Sequence, residues 1–243
     1  MPTRFTPEIR EVFMQRLAKE FPNPESELEH RSPYELLVAV MLSAQMTDKG
    51  VNLATRKLFA AANTPQAVAE LGVEGLIPYI RTVNYYRTKA EHVVAASRAL
   101  IEEHGGEVPA DFDALVKLPG VGRKTANVVL NVAFGMSTIP VDTHIFRVSN
   151  RTGFAPGGKP AAVEKKLLEV VPEHWKHDAH HLLLLFGRYI CKARSPECER
   201  CPVAEFCSAP EKAARLADAI PGAPSLDPEP QASKPRRRAK AQK

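Results

Sequence analysis

The sequence predicts an all-α fold, and three observations predict it. Helix-start signals recur along the chain, apolar residues repeat between them at helical spacing, and no stretch alternates with the β-branched enrichment of a strand. The first helix starts near Thr6-Pro7, with Ile9, Val12, Phe13 and Leu17 forming an apolar stripe. Ser32-Pro33-Tyr34-Glu35 opens the next, with a serine N-cap, proline in the first turn and glutamate three residues after the cap. The run Leu36 to Leu42 that follows is apolar on every side, so this helix is expected to be central. Further helices are predicted over 48–60, 65–71, 86–103, 111–117, 123–134, 143–151, 161–170 and 177–190. Gly105-Gly106, Pro119-Gly120 and Pro156-Gly157-Gly158 punctuate them.

A chain of 243 residues, 44% hydrophobic and 25% charged, can bury the core of one large or two small soluble domains. No run approaches the roughly 18 apolar residues of a membrane span. The start, MPTRFTPEIREVF, lacks an apolar segment followed by a small-residue cleavage site. A cytoplasmic protein with no membrane partner is therefore expected. The net charge of +5 suggests a nucleic-acid partner, but Lys234, Arg236, Arg237, Arg238, Lys240 and Lys243 lie in the last ten residues. Without these six, 27 basic residues face 28 acidic ones. A phosphate-binding surface on the body must then be built locally, from backbone N–H groups and a few placed side chains. Prolines at 210, 221, 224, 228, 230 and 235 interrupt the last stretch, and 210–243 is expected to be a disordered basic tail. Such a tail is either a salt-sensitive DNA tether or a solvated end.

Leu118-Pro119-Gly120-Val121-Gly122-Arg123-Lys124-Thr125-Ala126 lies between two predicted helices. Proline and two glycines compress the turn, each glycine permitting positive φ and close backbone approach. The N–H groups at the start of the second helix point outward with its partial positive charge, which suits a phosphate. A plain helix–helix connector is the even alternative from the turn alone.

LPGVGRKTA resembles the helix-hairpin-helix of the endonuclease III family of DNA glycosylases. Leu42-Ser43-Ala44-Gln45-Met46-Thr47-Asp48 is similar to that family's LSAQxTD segment, and Val141-Asp142-Thr143-His144 to its VDTH segment. The cysteine spacing matches as well, so four motifs in order cover roughly residues 7–208. The resemblance implies a two-lobe helix-hairpin-helix glycosylase fold. Residues 28–138 would carry the hairpin, 1–27 with 139–209 an iron–sulfur cluster domain, and DNA would sit in the cleft between them.

Lys124 begins a helix, beside Arg123. Only a neutral amine attacks carbon, and the positive end of a helix next to a second cation favours that form. From the residues alone, a phosphate contact is the stronger reading of Lys124. The resemblance reverses this, since the family's bifunctional members carry lysine here. Asp142 follows Pro140 and precedes a predicted helix, so it reads as an ionised N-cap. A carboxylate there can also stabilise the charge that builds as a glycosidic bond breaks. The resemblance sets it across the active-site mouth from Lys124.

The same resemblance implies a reaction: attack on the sugar C1′, loss of a damaged base, a Schiff base, then β-elimination of the 3′ phosphate. The nucleotide must first be flipped from the stack. Gln45 resembles the residue that fills the resulting hole, and Tyr85 aligns with a second wedge position where the family often has an aliphatic residue. Stacking on bases and packing beside the next helix are both open for Tyr85. Gly120, Val121, Gly122, Arg123 and Thr125 are the expected DNA contacts of the hairpin. Asp48 and His144 are read as shaping the pocket, or as a cap or core group.

Cys191-x6-Cys198-x2-Cys201-x5-Cys207 presents four thiolates within seventeen residues. They can hold a tetrahedral zinc or a four-iron cluster, and thiolate count does not separate the two. The family resemblance selects a [4Fe–4S] cluster. Lys192, Arg194 and Arg200, between these ligands, are expected to face phosphates. The expected whole is a monomeric DNA glycosylase and abasic-site lyase acting on duplex DNA with an oxidised pyrimidine or abasic site. A base-excising glycosylase without lyase chemistry is the alternative; a non-catalytic DNA-binding module and an electron carrier are more distant ones.

Overall fold

The computed structural model describes residues 5–210 and Lys212. Beyond Pro210 and Lys212, the expected basic tail lies outside the described residues. Among those described, all regular structure is helical: α1 (Pro7–Glu20), α2 (Pro33–Ser43), α3 (Asp48–Ala61), α4 (Pro65–Ile80), α5 (Tyr86–His104), α6 (Phe112–Lys117), α7 (Arg123–Phe134), α8 (Thr143–Thr152), α9 (Pro160–Val170) and α10 (Lys176–Tyr189), with short 3₁₀ turns at Glu173–Trp175, Cys198–Arg200 and Ala204–Phe206. None of these helices is long and apolar enough to cross a membrane.

The helix starts follow their caps. Thr6, Ser32, Thr47, Thr64, Asp111 and Asp142 each accept a hydrogen bond from the backbone N–H three residues on. At α2 the return bond differs from a standard capping box, because Glu35 reaches past Ser32 to the Arg31 N–H, at 2.7 Å. One element extends past its prediction. α4 continues beyond residue 71 because Gly72, at φ +64° and ψ −177°, breaks the helix without ending it. A second segment then buries Leu76 and Ile80.

Two hydrophobic cores form. One gathers buried residues from Leu28 to Leu130 around α2, whose whole span from Tyr34 to Leu42 is buried. α2 packs against α3, α5 and α7, so an all-round apolar helix is what this place requires. The other joins Phe13, Met14 and Leu17 of α1 to Ile139, Val141 and the apolar faces of α8, α9 and α10. Phe13 and Phe154 stack there at 4.5 Å between centroids. The chain crosses between the cores over 135–139, where the Asn131 Nδ2 group lies within 3.1 Å of the Met136 and Thr138 carbonyls and 3.0 Å of that of His177.

α2 ends without a glycine. Its last carbonyls turn instead to the buried Lys89 of α5, whose Nζ donates to Leu42 O at 2.8 Å and Ala44 O at 2.6 Å. A cation at a helix C-terminus offsets the negative end of the dipole, and burial holds this ammonium below its ordinary pKa. The Lys89→Met protein is expected to lose about 2 kcal/mol in urea unfolding, the worth of charge-assisted bonds to carbonyls that burial leaves without water. An unchanged midpoint would mean that the end of α2 needs no such partner.

Candidate active site

The hairpin consists of α6, the turn 118–122 and α7. The turn closes through Leu118 N–H to Leu115 O and Val121 N–H to Leu118 O, at 3.1 and 3.0 Å. Gly120 sits at φ +75°, and a Cβ there would come within 2.6 Å of His92 Cβ, so both its handedness and its size are required. Gly122 does not use the positive φ that glycine permits. Its φ is −93°, an extended N-cap conformation. A Cβ on it would meet nothing within 4 Å, so the space beside it is open. α7 begins with no side-chain cap, which leaves its first-turn N–H groups available to an anion. Val121 does not share that role, because its side chain is buried and its N–H is committed to the turn.

Arg123 also departs from expectation. Its guanidinium grips Glu164 of α9 through Nε to Oε2 at 3.1 Å and Nη2 to Oε1 at 2.7 Å. A cation so paired adds little to the field at Lys124, so the expected help from Arg123 is offset.

Lys124 lines a cleft of about 710 Å³ together with Gln45, Asp48, Thr125, Asp142, His144 and Arg188. Lys124 is exposed, and its ammonium makes no hydrogen bond or ion pair with another described residue. It comes from the hairpin side, and Asp142 from the other core. Asp142 caps α8, Oδ1 accepting from the Ile145 N–H at 2.8 Å, while no described residue bonds Oδ2. His144 accepts at Nδ1 from Arg147, at 3.3 Å. Asp48 receives Arg188 Nη1 at 2.6 Å, and Glu27 shares that guanidinium. Under the cleft, the buried His180 donates from Nδ1 to Pro140 O at 2.8 Å and so holds the segment leading to Asp142.

The two wedge candidates share an unusual backbone. Gln45 at φ 57° and Tyr85 at φ 56° are the non-glycine residues with positive φ among those described. Asn84 Nδ2 donates to Gln45 O at 2.6 Å and braces one loop with the other. Tyr85 is 66% exposed, so packing does not explain its place. Left-handed backbone in such residues costs on the order of 1–3 kcal/mol and persists where surrounding structure enforces it.

The four cysteines line one cavity, with Arg151, Phe186, Ile190 and Lys212 around them. No three histidine, cysteine or acidic side chains among the described residues close on a single metal ion. Tetrahedral zinc would draw its sulfurs to about 3.8 Å from one another, given bonds of roughly 2.3 Å. Burial pushes the Cys201 thiol up to about 12, and the other three cysteines add to that. Four thiolates gathered here need a cationic core between them. Arg147 and Arg151, one turn apart on α8, hold the loop by the carbonyls of Cys191, Lys192 and Ala193. Of the loop cations expected to face phosphates, Lys192 and Arg200 both pair with Glu197, and Arg194 is exposed.

Residues 38–173 match the family described as HhH-GPD superfamily base excision DNA repair protein, and residues 191–207 match the iron-sulfur binding domain of endonuclease III. The chain is 58% identical over 197 residues to endonuclease III of Escherichia coli strain K12, spanning 81% of this chain and 93% of that protein. Over the same length and shares it is 57% identical to endonuclease III of Haemophilus influenzae. The chain belongs to the endonuclease III family. Its fold overlays a trapped endonuclease III–DNA covalent intermediate with a TM-score of 0.82 and 44% identity, covering 88% of this chain and all of that one.

This endonuclease III family member is accordingly a DNA glycosylase of base excision repair, and its 191–207 loop carries a [4Fe–4S] cluster, a group that four thiols lining one cavity fit. Of its site residues, motifs did not disclose Lys89, Glu164, His180, His181 or Arg188. His180, His181 and Arg188 leave a signal, polar groups flanking the apolar run Leu182 to Phe186, whereas Lys89 and Glu164 leave none because each has charged or polar sequence neighbours.

Glycine in place of Gln45 or Tyr85 relieves the left-handed strain, so thermal unfolding of either variant is expected to hold or rise by up to about 1 kcal/mol. A loss of stability would show that these side chains pack rather than wait. Burial, with His181 and Lys124 nearby, holds His180 well below its ordinary pKa, and burial with His177 lowers His181 to about 4. The unfolded rings bind protons near 6.5 while the folded ones do not, so stability is complete above that pH and falls as pH drops from 6.5 toward 4. Urea midpoints across this window should decline less steeply for His181→Asn than for the parent.

Proposed function

We propose that this enzyme releases oxidised pyrimidines from duplex DNA and then nicks the strand 3′ of the abasic site, with Lys124 as nucleophile and Asp142 as its carboxylate partner. The observation that carries this reading is the unpartnered Lys124 ammonium at the uncapped start of α7, sharing one cleft with the free oxygen of Asp142. The covalent intermediate named for the endonuclease III structure supports a nucleophilic residue at this place.

The first-turn N–H groups of α7 take a backbone phosphate, which seats the flipped sugar above Lys124. The neutral Nζ forms a bond to C1′ as the glycosidic bond breaks, and the base leaves with that electron pair and a proton. Asp142 stabilises the positive charge on the sugar during this step and takes up the proton released from nitrogen. Ring opening at O4′ then gives the Schiff base. Loss of a C2′ proton forms the C2′–C3′ double bond and expels the 3′ phosphate, and water returns the free lysine. Gln45 and Tyr85 fill the gap left in the duplex. Cys191, Cys198, Cys201 and Cys207 would hold the [4Fe–4S] cluster, which would supply no bond change and would keep the shape of the loop bearing Lys192 and Arg194. The working form is a cytoplasmic monomer, divided at residues 28 and 139 into hairpin and cluster domains.

Duplexes with single defined lesions, scored separately for base release and nicking, test the reading. Lys124→Ala is expected to abolish borohydride-trapped adducts and both activities at pyrimidine lesions, and Asp142→Asn to slow base release by roughly 100-fold or more at unchanged DNA affinity. A parent enzyme that releases base but traps no adduct would be a glycosylase without lyase chemistry.

A further inference from the structure

Lys124 and Asp142 stand on different cores, so their separation is set by whatever joins those cores beside them. Beside Lys124, one such junction is a carboxylate. Glu164 of α9 is 7% exposed, and both of its oxygens are engaged from α7. Oε2 receives Arg123 Nε, while Oε1 receives Arg123 Nη2 and, at 3.1 Å, Asn127 Nδ2. Residues 123 and 127 are one turn apart on the same face, so the grip fixes both the rotation and the tilt of the first turn that carries Lys124. The Phe112 ring of α6 lies 5.0 Å from the same guanidinium, which ties the other arm of the hairpin to the contact. On the far side, Pro160 opens α9 and lines the cleft that Lys124 and Asp142 share. The Arg123 side chain remains 59% exposed, but its bidentate partner is almost wholly withdrawn from water.

We propose that Glu164 is a positioning residue of the reaction: by clasping Arg123 and Asn127 across the two cores, it sets the tip of α7 against Asp142 and so places the Lys124 amine for attack on C1′. This rests on the assignment of Lys124 as nucleophile. Glu164 touches no reacting atom; it acts through the helix. The bond is short, charged at both ends and buried at one, so it resists the lever that DNA applies when it binds both cores. Near-attack geometry tolerates little displacement, and a shift of about 1 Å at the amine slows chemistry far more than binding.

The test uses full-length holoenzyme with two duplexes. One carries a natural abasic site for the single-turnover rate of borohydride trapping, and the other an uncleavable tetrahydrofuran site for affinity. Visible absorbance of the cluster and the melting temperature report the fold of each variant. Glu164→Ala is expected to slow trapping roughly 10- to 100-fold while affinity stays within about threefold. Glu164→Gln keeps an acceptor for Asn127 and is expected to fall between the parent and Ala. The Arg123→Ala/Glu164→Ala double variant should be no slower than the slower single one, because both changes open the same clasp. Trapping at the parent rate in a folded Glu164→Ala overturns the proposal, and so does a parallel fall of trapping and affinity, or additive losses in the double variant. Should the Ala variant fail to fold, a parental rate in Glu164→Gln together with Asn127→Ala overturns it, and a slowed rate upholds it. A parent that traps nothing sinks the lyase reading instead, and the same comparison is then made on the rate of base release.

Discussion

The separation of two side chains carried by different hydrophobic cores governs this structure. Lys124 rides on α7 with the core around α2, and Asp142 caps α8 in the core built from α1, α8, α9 and α10. Two chain crossings alone would leave that separation soft, as in any pair of lobes joined by short segments. The contacts that remove the softness are polar and local. Asn131 gathers the carbonyls at the crossing, His180 holds Pro140 two residues before Asp142, and Arg188 spans from α10 to Asp48 and Glu27. Each satisfies groups that the junction would otherwise bury without partners, so the interface between cores is stabilised where the chemistry needs it rigid.

A body with almost equal numbers of acids and bases can still offer an anion a place, at backbone groups rather than side chains. The uncapped start of α7 offers N–H groups whose partial charge needs no lysine, and Gly122 leaves the approach open. The nearby cations are largely committed elsewhere: Arg123 to Glu164, Lys192 and Arg200 to Glu197, Arg188 to Asp48.

Much of this was legible in the sequence, and what was not has a common cause. Helix starts were readable because Thr6, Ser32 and Asp142 cap through bonds to residues three positions on, which local spacing encodes. The second half of α4 was not, because Gly72 and Pro78 signal an end that burial of Leu76 and Ile80 overrides. Lys124, Asp142, Gln45 and the cysteines stood in motifs. Glu164, Lys89 and His180 did not, since their meaning lies in partners 41, 47 and 40 residues away. Arg123 shows the same limit from the other side. Its neighbour in sequence suggested a cation beside Lys124, and only its partner in space reveals that the charge is already answered.

α8 ties the cluster loop to the cleft. Its first turn presents Asp142 to the cleft, while Arg147 and Arg151, on the face below, bind the carbonyls of Cys191, Lys192 and Ala193. Gly187 of α10 accepts from the same Arg147, and a Cβ there would meet His144 Cβ at 2.9 Å, so α8 and α10 approach as closely as glycine allows. A short helix pinned at one end by a cap and along one face by two arginines has little freedom to tilt. Those arginines tie the loop bearing the four cysteines to the helix whose first turn carries Asp142.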